Sequence, residues 1–362
     1  MVVLDSVCKN SVQDIRHLIR LLVEGESLSE DYAAEAMRLI MENTATPAQI
    51  AAFLTALRFK GETVTEIVSM ARVMRGFCHR ITPRVNGILV DTCGTGGDRV
   101  KTFNVSTISA LVVAGAGVPV AKHGNRSVTS KCGSADLLEA LGVNIVASPE
   151  TVERCIERVG IGFMFAPVFH PAMKHVVGPR REIGIRTVFN ILGPLTNPAG
   201  AEAQVVGVYD PRLTEKLAKV LSGLGVNRGY VVHGLIGLDE ISTIGSTKVS
   251  EVENGDVQTY EVSAKDFGLK EGVLGDILGQ GVSDSALIAV RILKGFESRK
   301  ENIVLLNASA AFSAAGKAKS FVEGIQIAKV SLESGAAFEK LRQLIIESGG
   351  DITLLERLEE KL

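Results

Sequence analysis

The pattern of apolar residues changes character once, near Pro83, and that change limits what the chain can fold into: a helical opening, then an alternating strand–helix region. Before Pro83 the apolar residues recur at helical spacing, through Ile15, Leu18, Ile19 and Leu22 and then Ala33, Ala36, Met37 and Ile40. Thr46-Pro47-Ala48-Gln49 supplies a capping threonine, a proline at the first helical position and a glutamine at the third, and Gly61 suits the end of that helix. Thr63-Val64-Thr65-Glu66 repeats the capping pattern and opens a helix reaching about His79. Short amphipathic helices without strands make a small helical domain.

Beyond Pro83, Ile88-Leu89-Val90-Asp91 reads as a buried strand followed at once by a glycine turn. Ala110 to Gly117 is helical in character, and Val118-Pro119-Val120-Ala121 is a second short strand. Ala203 to Tyr209 and Tyr230 to His233 are further strands, with a helix starting at Asp210-Pro211 between them. Asn254-Gly255 between two apolar stretches suggests a hairpin, and from about Asp284 the chain is helical again. This alternation predicts an α/β fold: a small N-terminal helical domain over residues 1–84 and a larger α/β domain over 85–362 with a mostly parallel central sheet. The turn formers Gly193-Pro194 and Asn197-Pro198-Ala199-Gly200 separate the middle of the chain from its C-terminal part.

A length of 362 residues with 46% apolar content supports two domains with substantial cores. A net charge of −2 gives no sequence-wide attraction to nucleic acid or to acidic membranes, and leaves a local cationic pocket possible. The five cysteines (Cys8, Cys78, Cys93, Cys132 and Cys155) lack CxxC spacing, the pattern of a reducing compartment and not of a disulfide framework or a structural zinc site. The N-terminus has no basic stretch leading into an apolar one. The longest apolar run, Ala110 to Ala121, is broken by Gly115, Gly117 and Pro119 and is shorter than the roughly 20 residues a spanning helix needs. The expectation is a soluble cytoplasmic protein.

Three segments carry chemistry. In the first, Asp91-Thr92-Cys93-Gly94-Thr95-Gly96-Gly97-Asp98 follows a strand directly, and Thr102 and Asn104-Val105-Ser106-Thr107 precede a helix. Glycines let backbone amides approach an anion, and a helix N-terminus favours phosphate. The pattern is neither a P-loop nor a dinucleotide turn. A tight strand-to-helix turn with an ordinary cap would leave the same trace. In the second, a strand runs into Lys122-His123-Gly124-Asn125-Arg126-Ser127-Val128-Thr129-Ser130, with Ser134 beyond. Two cations, an amide and several hydroxyls at a strand end suit a polyanion, where a solvated loop explains the clustering poorly. In the third, Asp239-Glu240 lies between apolar residues. Adjacent carboxylates are costly if buried without a cation, and Mg²⁺ answers that cost; alone, the pair would read as surface charge.

In this order the segments resemble the anthranilate phosphoribosyltransferases. Gly94-Thr95-Gly96-Gly97-Asp98, Asn104 to Thr107, Lys122 to Ser130 and Asp239-Glu240 match that family's signature. So do Ala45 to Leu54, Phe165-Ala166-Pro167, His170 to Lys174, and Arg186-Thr187-Val188-Phe189-Asn190 through Ala199. The resemblance implies a nucleoside phosphorylase/phosphoribosyltransferase-like fold, hinged between its domains, with residues about 171–196 packing on the helical domain. It also implies a homodimer paired through helices, phosphoribosyl pyrophosphate as donor, and two Mg²⁺ per monomer.

Gly94, Gly97, Asp98, Thr102, Asn104, Val105, Ser106, Thr107, Lys122, His123, Gly124, Asn125, Arg126, Ser127, Val128, Thr129, Ser130 and Ser134 would line the donor site. Ser106, Asp239 and Glu240 would hold metal, and Gly94, His123, Asn125 and Arg180 would meet anthranilate. Arg180 is preferred to Arg181 because the family's arginine is the first of its pair. The implied reaction puts the phosphoribosyl group on the amine of anthranilate, a step of tryptophan biosynthesis. No residue is assigned as general acid or base, because an aromatic amine is already neutral at pH 7. The competing expectations are a pyrimidine-nucleoside phosphorylase, which would need no acidic pair, and a nucleic-acid-binding relative, which would carry a basic groove.

Overall fold

The computed structural model describes residues 14–97, 100–127, 132–296 and 298–362. Four helices open it: α1 (Ile15–Val23), α2 (Glu30–Met41), α3 (Pro47–Lys60) and α4 (Val64–Gly76). Both expected capping boxes form, Thr46 with Gln49 and Thr63 with Glu66. Glu66 does more than cap. Its buried carboxylate accepts from Leu28 N–H at 2.8 Å, from Thr63 N–H at 2.7 Å and from the Lys60 ammonium at 2.8 Å. One carboxylate thus ties the α1–α2 linker to the end of α3 and the start of α4. The last helix stops at Gly76, one turn short of His79, whose amide instead donates to Phe169 O.

The α/β region runs β1 (Val90–Gly94), α5 (Val105–Gly115), β2 (Val120–Gly124), α6 (Ser134–Ala140), α7 (Pro149–Val159) and β3 (Ile161–Phe165). It continues through α8 (Ala166–Phe169), α9 (Lys174–Ile183), α10 (Phe189–Leu195), β4 (Ala203–Gly207), α11 (Leu213–Gly223) and β5 (Arg228–Gly234). The hairpin β6 (Ser246–Glu253) and β7 (Asp256–Ser263) comes next, and then α12 (Val282–Leu293), α13 (Glu301–Ala314), α14 (Phe321–Glu333), α15 (Ala336–Glu347) and α16 (Ile352–Glu359). Asn254 and Gly255 both have positive φ, 50° and 97°, the tight hairpin turn their pairing predicts.

The seven strands form one sheet in the order β3-β2-β1-β4-β5-β6-β7, parallel from β3 to β5 and antiparallel at β6 and β7. The chain leaves β1 for β2 and β3 on one side, then returns to place β4 on its other side. That reversal makes a crevice at the carboxyl ends of β1 and β4, where open α/β sheets collect ligands.

The structure shifts two strand expectations. Ile88 is 40% exposed, and β1 starts at Val90 and runs through Gly94, so the first glycine of the turn is the last residue of the strand. Similarly, β2 starts at Val120 and carries Lys122, His123 and Gly124 within it, paired with Phe163, Met164 and Phe165 of β3. The polar residues are strand residues because their neighbour is an apolar strand that fixes their register. The helix expected from Ala110 begins earlier, at Val105, and takes Ser106 and Thr107 into its first turn.

Two large apolar cores result. One packs α5 and the C-terminal helices against the sheet, with Ile108, Leu111, Val232, Leu305 and Phe312 at its centre. The other joins α1–α4 to Val176 of α9, to Val188, Phe189, Ile191 and Leu192 at α10, and to α11 and the opposite sheet face at Val206 and Val231. Polar ties cross the same boundary: Arg75 donates to Leu195 O at 2.9 Å and Lys216 to Glu62 O at 2.8 Å. Among the described residues no helix is long and apolar enough to cross a membrane.

The clasp at Glu66 gives a direct test. Removing it leaves the Lys60 ammonium, whose side chain is 7% exposed, buried without its partner, together with two unsatisfied amides. Glu66→Ala is expected to lower the unfolding free energy by about 3 kcal/mol or more in a urea titration. The paired change Lys60→Met with Glu66→Leu should lose less.

Candidate active site

The site begins with two glycines at the reversal point of the sheet. Gly94 ends β1, Gly207 ends β4, and the two are partners in register. Neither has a side chain, and Asp239 fills the space. A Cβ on Gly94 would lie 2.8 Å from Asp239 Oδ2, and one on Gly207 would lie 1.6 Å from Asp239 O. Asp239 Oδ2 accepts from Gly96 N–H at 3.1 Å, so the acidic segment and the glycine turn are in direct contact. The turn is laid over β4 by Thr95, whose amide donates to Gly207 O at 2.9 Å and whose Oγ1 accepts from Tyr209 N–H at 3.1 Å.

Glu240 completes the convergence. Its Oε1 accepts from Ser106 N–H at 3.1 Å, which sets a carboxylate at the start of α5 where the helix dipole favours it. The sequence pattern offers this helix start to a phosphate; in the fold, its Ser106 amide is taken by Glu240, and the Thr107 and Ile108 amides donate to Asn104 O. Lys122 reaches the same point from β2, its Nζ 2.5 Å from Thr92 O and 3.4 Å from Ser106 Oγ. Burial pushes the Lys122 ammonium down from its ordinary range, opposed by the charge of Asp91. The Gly94, Lys122 and Asp239 segments, far apart in sequence, therefore meet at one edge of the sheet.

The remaining sequence-assigned residues fall into distinct surroundings. Asn104 sits at the start of α5, its Nδ2 donating to Cys132 O at 3.2 Å and its buried Oδ1 without a partner. Thr107 is buried, and its hydroxyl also lacks a partner. Val105 is fully buried, whereas Thr102 bridges to Leu278. Asn125 is exposed and accepts from Ser134 Oγ at 3.3 Å, and Gly124 leaves room for that hydroxyl, since a Cβ there would lie 2.2 Å from it. Ser127 N–H and Gly133 N–H both donate to Asp136. Gly97 carries φ 79° and presents its carbonyl to Arg186. Asp98, Val128, Thr129 and Ser130 lie outside the described residues.

Two cations behave differently from a simple two-charge phosphate loop. Arg126 is already engaged: its guanidinium bonds Asp136 at 3.0 Å and Glu139 at 2.7 Å and lies over the Phe165 ring. Its charge is matched within the protein, whereas Lys122 reaches Ser106 at the convergence point. Arg180 lies on α9, half-buried, with its guanidinium 5.5 Å from the centre of the Phe189 ring. Burial pushes its ionisation down.

His123 and His170 form a buried pair with ring centres 5.0 Å apart, and neither Nε2 has a partner. Burial lowers His123 to about 3 and His170 to about 4. Both are neutral at pH 7, each buried with its Nε2 unpartnered.

Sequence reasoning missed two contributors. Arg186 donates to Gly97 O at 2.6 Å and stacks on Tyr209 at 3.9 Å, pinning the glycine turn from the α9–α10 connection. Asn307 on α13 grips the backbone just after Glu240. Neither has a local signature, since each acts 66 or more residues along the chain. A cleft of about 340 Å³ lies elsewhere, where Gly115 and Ala116 at the far end of α5 meet Ile327 and Val330 of α14; it contains none of these groups.

Comparison with known proteins agrees with this architecture. Residues 86–338 match a glycosyl transferase family, a/b domain, and residues 16–78 its helical bundle domain, which defines the class as a two-domain glycosyl transferase. Anthranilate phosphoribosyltransferases from Pelotomaculum thermopropionicum and Persephonella marina are each 54% identical to this chain. The alignments cover 92% and 91% of it, and 97% and 98% of theirs. The solved structure of the Thermus thermophilus enzyme superposes with a TM-score of 0.87 at 45% identity, over 91% of this chain and 99% of that one. The Saccharomyces cerevisiae enzyme, solved in complex with phosphoribosyl pyrophosphate and Mg, gives 0.84 at 28% identity, over 93% and 99%. A further yeast structure holds 4-fluoroanthranilate. The chain belongs to the anthranilate phosphoribosyltransferase family.

The histidine pair makes a pH prediction. His170 has an ordinary pKa of 6.5 when unfolded and about 4 when folded, so the unfolded chain binds the proton more tightly. Its contribution to stability is complete above pH 6.5 and is lost as pH falls toward 4. Moving from pH 7.5 to 5 should cost about 2 kcal/mol through this group alone. In His170→Gln that increment should be missing from the pH dependence of urea unfolding.

Proposed function

We propose that the convergence of the Gly94 turn, Lys122 and the Asp239-Glu240 pair is where this chain carries out its family's reaction. That reaction is transfer of the 5-phosphoribosyl group from phosphoribosyl pyrophosphate to the amine of anthranilate, with release of pyrophosphate. The observation that carries the assignment is the contact of Asp239 with Gly96 and of Glu240 with Ser106, which brings hard oxygen ligands against an amide-rich turn.

A divalent cation fits this site on physical grounds. Asp239 is held above the ordinary carboxylate range by burial, opposed chiefly by the Gly96 amide, and no Lys or Arg among the described residues forms an ion pair with it. Mg²⁺ binds through one or two carboxylates and completes its shell with water and substrate phosphates. Asp239, Glu240 and the Ser106 hydroxyl would hold two Mg²⁺ per monomer, which would neutralise charge growing on the departing pyrophosphate.

The chain's own residues do the rest. In the reaction the bond from ribose C1 to pyrophosphate breaks while C1–N forms, with inversion at C1. The Gly94 turn and Lys122 bind the phosphorylated donor, with Asp98, Thr102, Asn104, Thr107 and the segment to Ser134 lining it. His123 and Asn125 would serve the acceptor side, and Arg180 would meet the anthranilate carboxylate. The aromatic amine attacks in its neutral form, so the residues orient it and need not first remove a proton; the new C1–N nitrogen sheds its extra proton afterwards, to the released pyrophosphate or to water. Neutral His123 and His170 suit an aromatic ring and do not add a cation beside C1 as positive charge develops there. Closure of the helical domain over the α/β domain would exclude water, which otherwise hydrolyses the donor.

A homodimer is supported by apolar exposure on the helical side. Phe59 of α3 is 94% exposed and Val23 of α1 72%, joined by Val177 and Ile185 from the α9 region. A second copy of this chain would cover them.

Two sets of variants test the assignment, read by anthranilate fluorescence. Asp239→Asn with Glu240→Gln should abolish Mg²⁺-dependent turnover while circular dichroism stays at wild type; near-normal turnover refutes the site. Arg180→Ala should raise the KM for anthranilate by about 10-fold or more, the loss of one charge-assisted contact, and leave the donor KM nearly unchanged. Equal rises in both remove Arg180 from the acceptor site.

A further inference from the structure

Asp239 and Glu240 are short side chains in a segment with no helix or strand of its own, so something must fix their backbone. On one side the answer is local. Leu238 N–H donates to Gly234 O at 3.0 Å, and Gly234 N–H donates to Leu238 O at 2.8 Å, which pins the segment to the end of β5. On the other side the partner is a side chain. Asn307 Oδ1 accepts from Ile241 N–H at 2.9 Å, and its Nδ2 donates to Ile241 O at 2.9 Å and to Ile303 O at 2.8 Å. The amide thus imitates a neighbouring strand for one residue and anchors itself to its own helix.

The amide orientation is fixed by its partners. Turning it over would set Oδ1 against two carbonyl oxygens and Nδ2 against an N–H. Asn307 is 3% exposed, and Ile241 is fully buried, so no solvent could replace these bonds. Asn307 also borders a small cavity of about 10 Å³ with Glu240, Thr92 and Ser106, which places α13 directly behind the acidic pair.

We propose that Asn307 is a positioning residue for the metal-binding carboxylates: it holds Ile241 so that Asp239 and Glu240 are strung between two fixed points. This inference rests on the metal assignment above. The bond lengths demanded by Mg²⁺ leave little tolerance, and partners one shell behind metal ligands typically change metal affinity by about 10–100-fold when removed. Asn307 is 3% exposed and its bonds all go to Ile241 and Ile303, so its effect is expected at the metal step.

The experiment measures Mn²⁺ binding by the electron paramagnetic resonance of free Mn²⁺, with inorganic pyrophosphate present, on the full chain. Asn307→Leu keeps the number and branching of the side-chain heavy atoms and removes all three bonds. Asn307→Asp keeps the acceptor for Ile241 N–H and serves if the leucine variant does not fold. Ser313→Ala on the same helix, which loses only its bond to Tyr230 Oη, controls for general destabilisation. The expected result is about 10–100-fold weaker Mn²⁺ binding in Asn307→Leu, a smaller loss in Asn307→Asp, and an unchanged KM for anthranilate. Ser313→Ala should lower the thermal midpoint and keep wild-type Mn²⁺ affinity. Wild-type affinity in the Asn307 variants, or equal weakening in Ser313→Ala, overturns the proposal. The Asp239→Asn, Glu240→Gln variant separates the two levels. If it binds Mn²⁺ like wild type, the metal assignment itself is wrong; if it loses binding while Asn307→Leu keeps it, only the role of Asn307 falls.

Discussion

The absence of two side chains, at Gly94 and Gly207, is the constraint on which the site depends. The two residues are partners at the ends of β1 and β4, where the strand order reverses. A methyl group at either would occupy the volume of Asp239, at Gly207 the position of its backbone oxygen. The crevice that any such sheet offers is therefore filled from above by an acidic segment delivered by β5. Once Asp239 is seated, the Gly96 amide has an acceptor, the turn lies over β4, and Glu240 falls on the start of α5. Removing the glycine pair would undo each of these in turn.

Behind the crevice runs a layer of buried polar groups that apolar packing alone would not tolerate. Asp91 is fully buried, accepts from His123 N–H and Asn197 Nδ2, and is held up by burial against the charge of Lys122. Asn197 also donates to Ala121 O and accepts from Ala199 N–H. Together these contacts join β1 and β2 to the turn after α10. The same turn region carries Leu195, whose carbonyl takes Arg75 of α4. A continuous set of bonds thus links the helical opening to the strands that carry Lys122 and His123, and satisfied buried networks of this kind specify one arrangement over others.

Much of this was legible in the sequence, for reasons that differ by element. The capping boxes at Thr46 and Thr63 and the Asn254-Gly255 turn are local chemistry, and each forms as its residues demand. The glycine turn and the acidic pair were legible only together, in their order along the chain, since each alone reads as an ordinary turn or as surface charge. Strand limits were not. Lys122 and His123 look like loop residues, and only pairing with Phe163 and Met164 makes them strand. The fate of Arg126 was equally hidden, because Asp136 and Glu139 reach it from a helix whose face the sequence does not reveal. Arg186 and Asn307 act on backbone groups far along the chain, and a hydrogen bond to a distant carbonyl leaves no pattern in either segment.

The charges at the crevice are arranged to be incomplete without a ligand. Asp239 is half-buried, and desolvation raises its hold on a proton against the opposing Gly96 amide. Glu240 draws on the helix start, and Lys122 directs its donors to Thr92 O and Ser106 Oγ. A carboxylate that burial drives toward its protonated form must give up that proton to bind a cation, so cation and proton compete for the same oxygen. Under the proposed reading, a divalent ion shared with a phosphorylated donor would supply the charge that the carboxylate meets on binding. The glycines create the space and the neighbouring backbone bonds fix the geometry. The half-buried carboxylates are the groups that a cation bound there would meet.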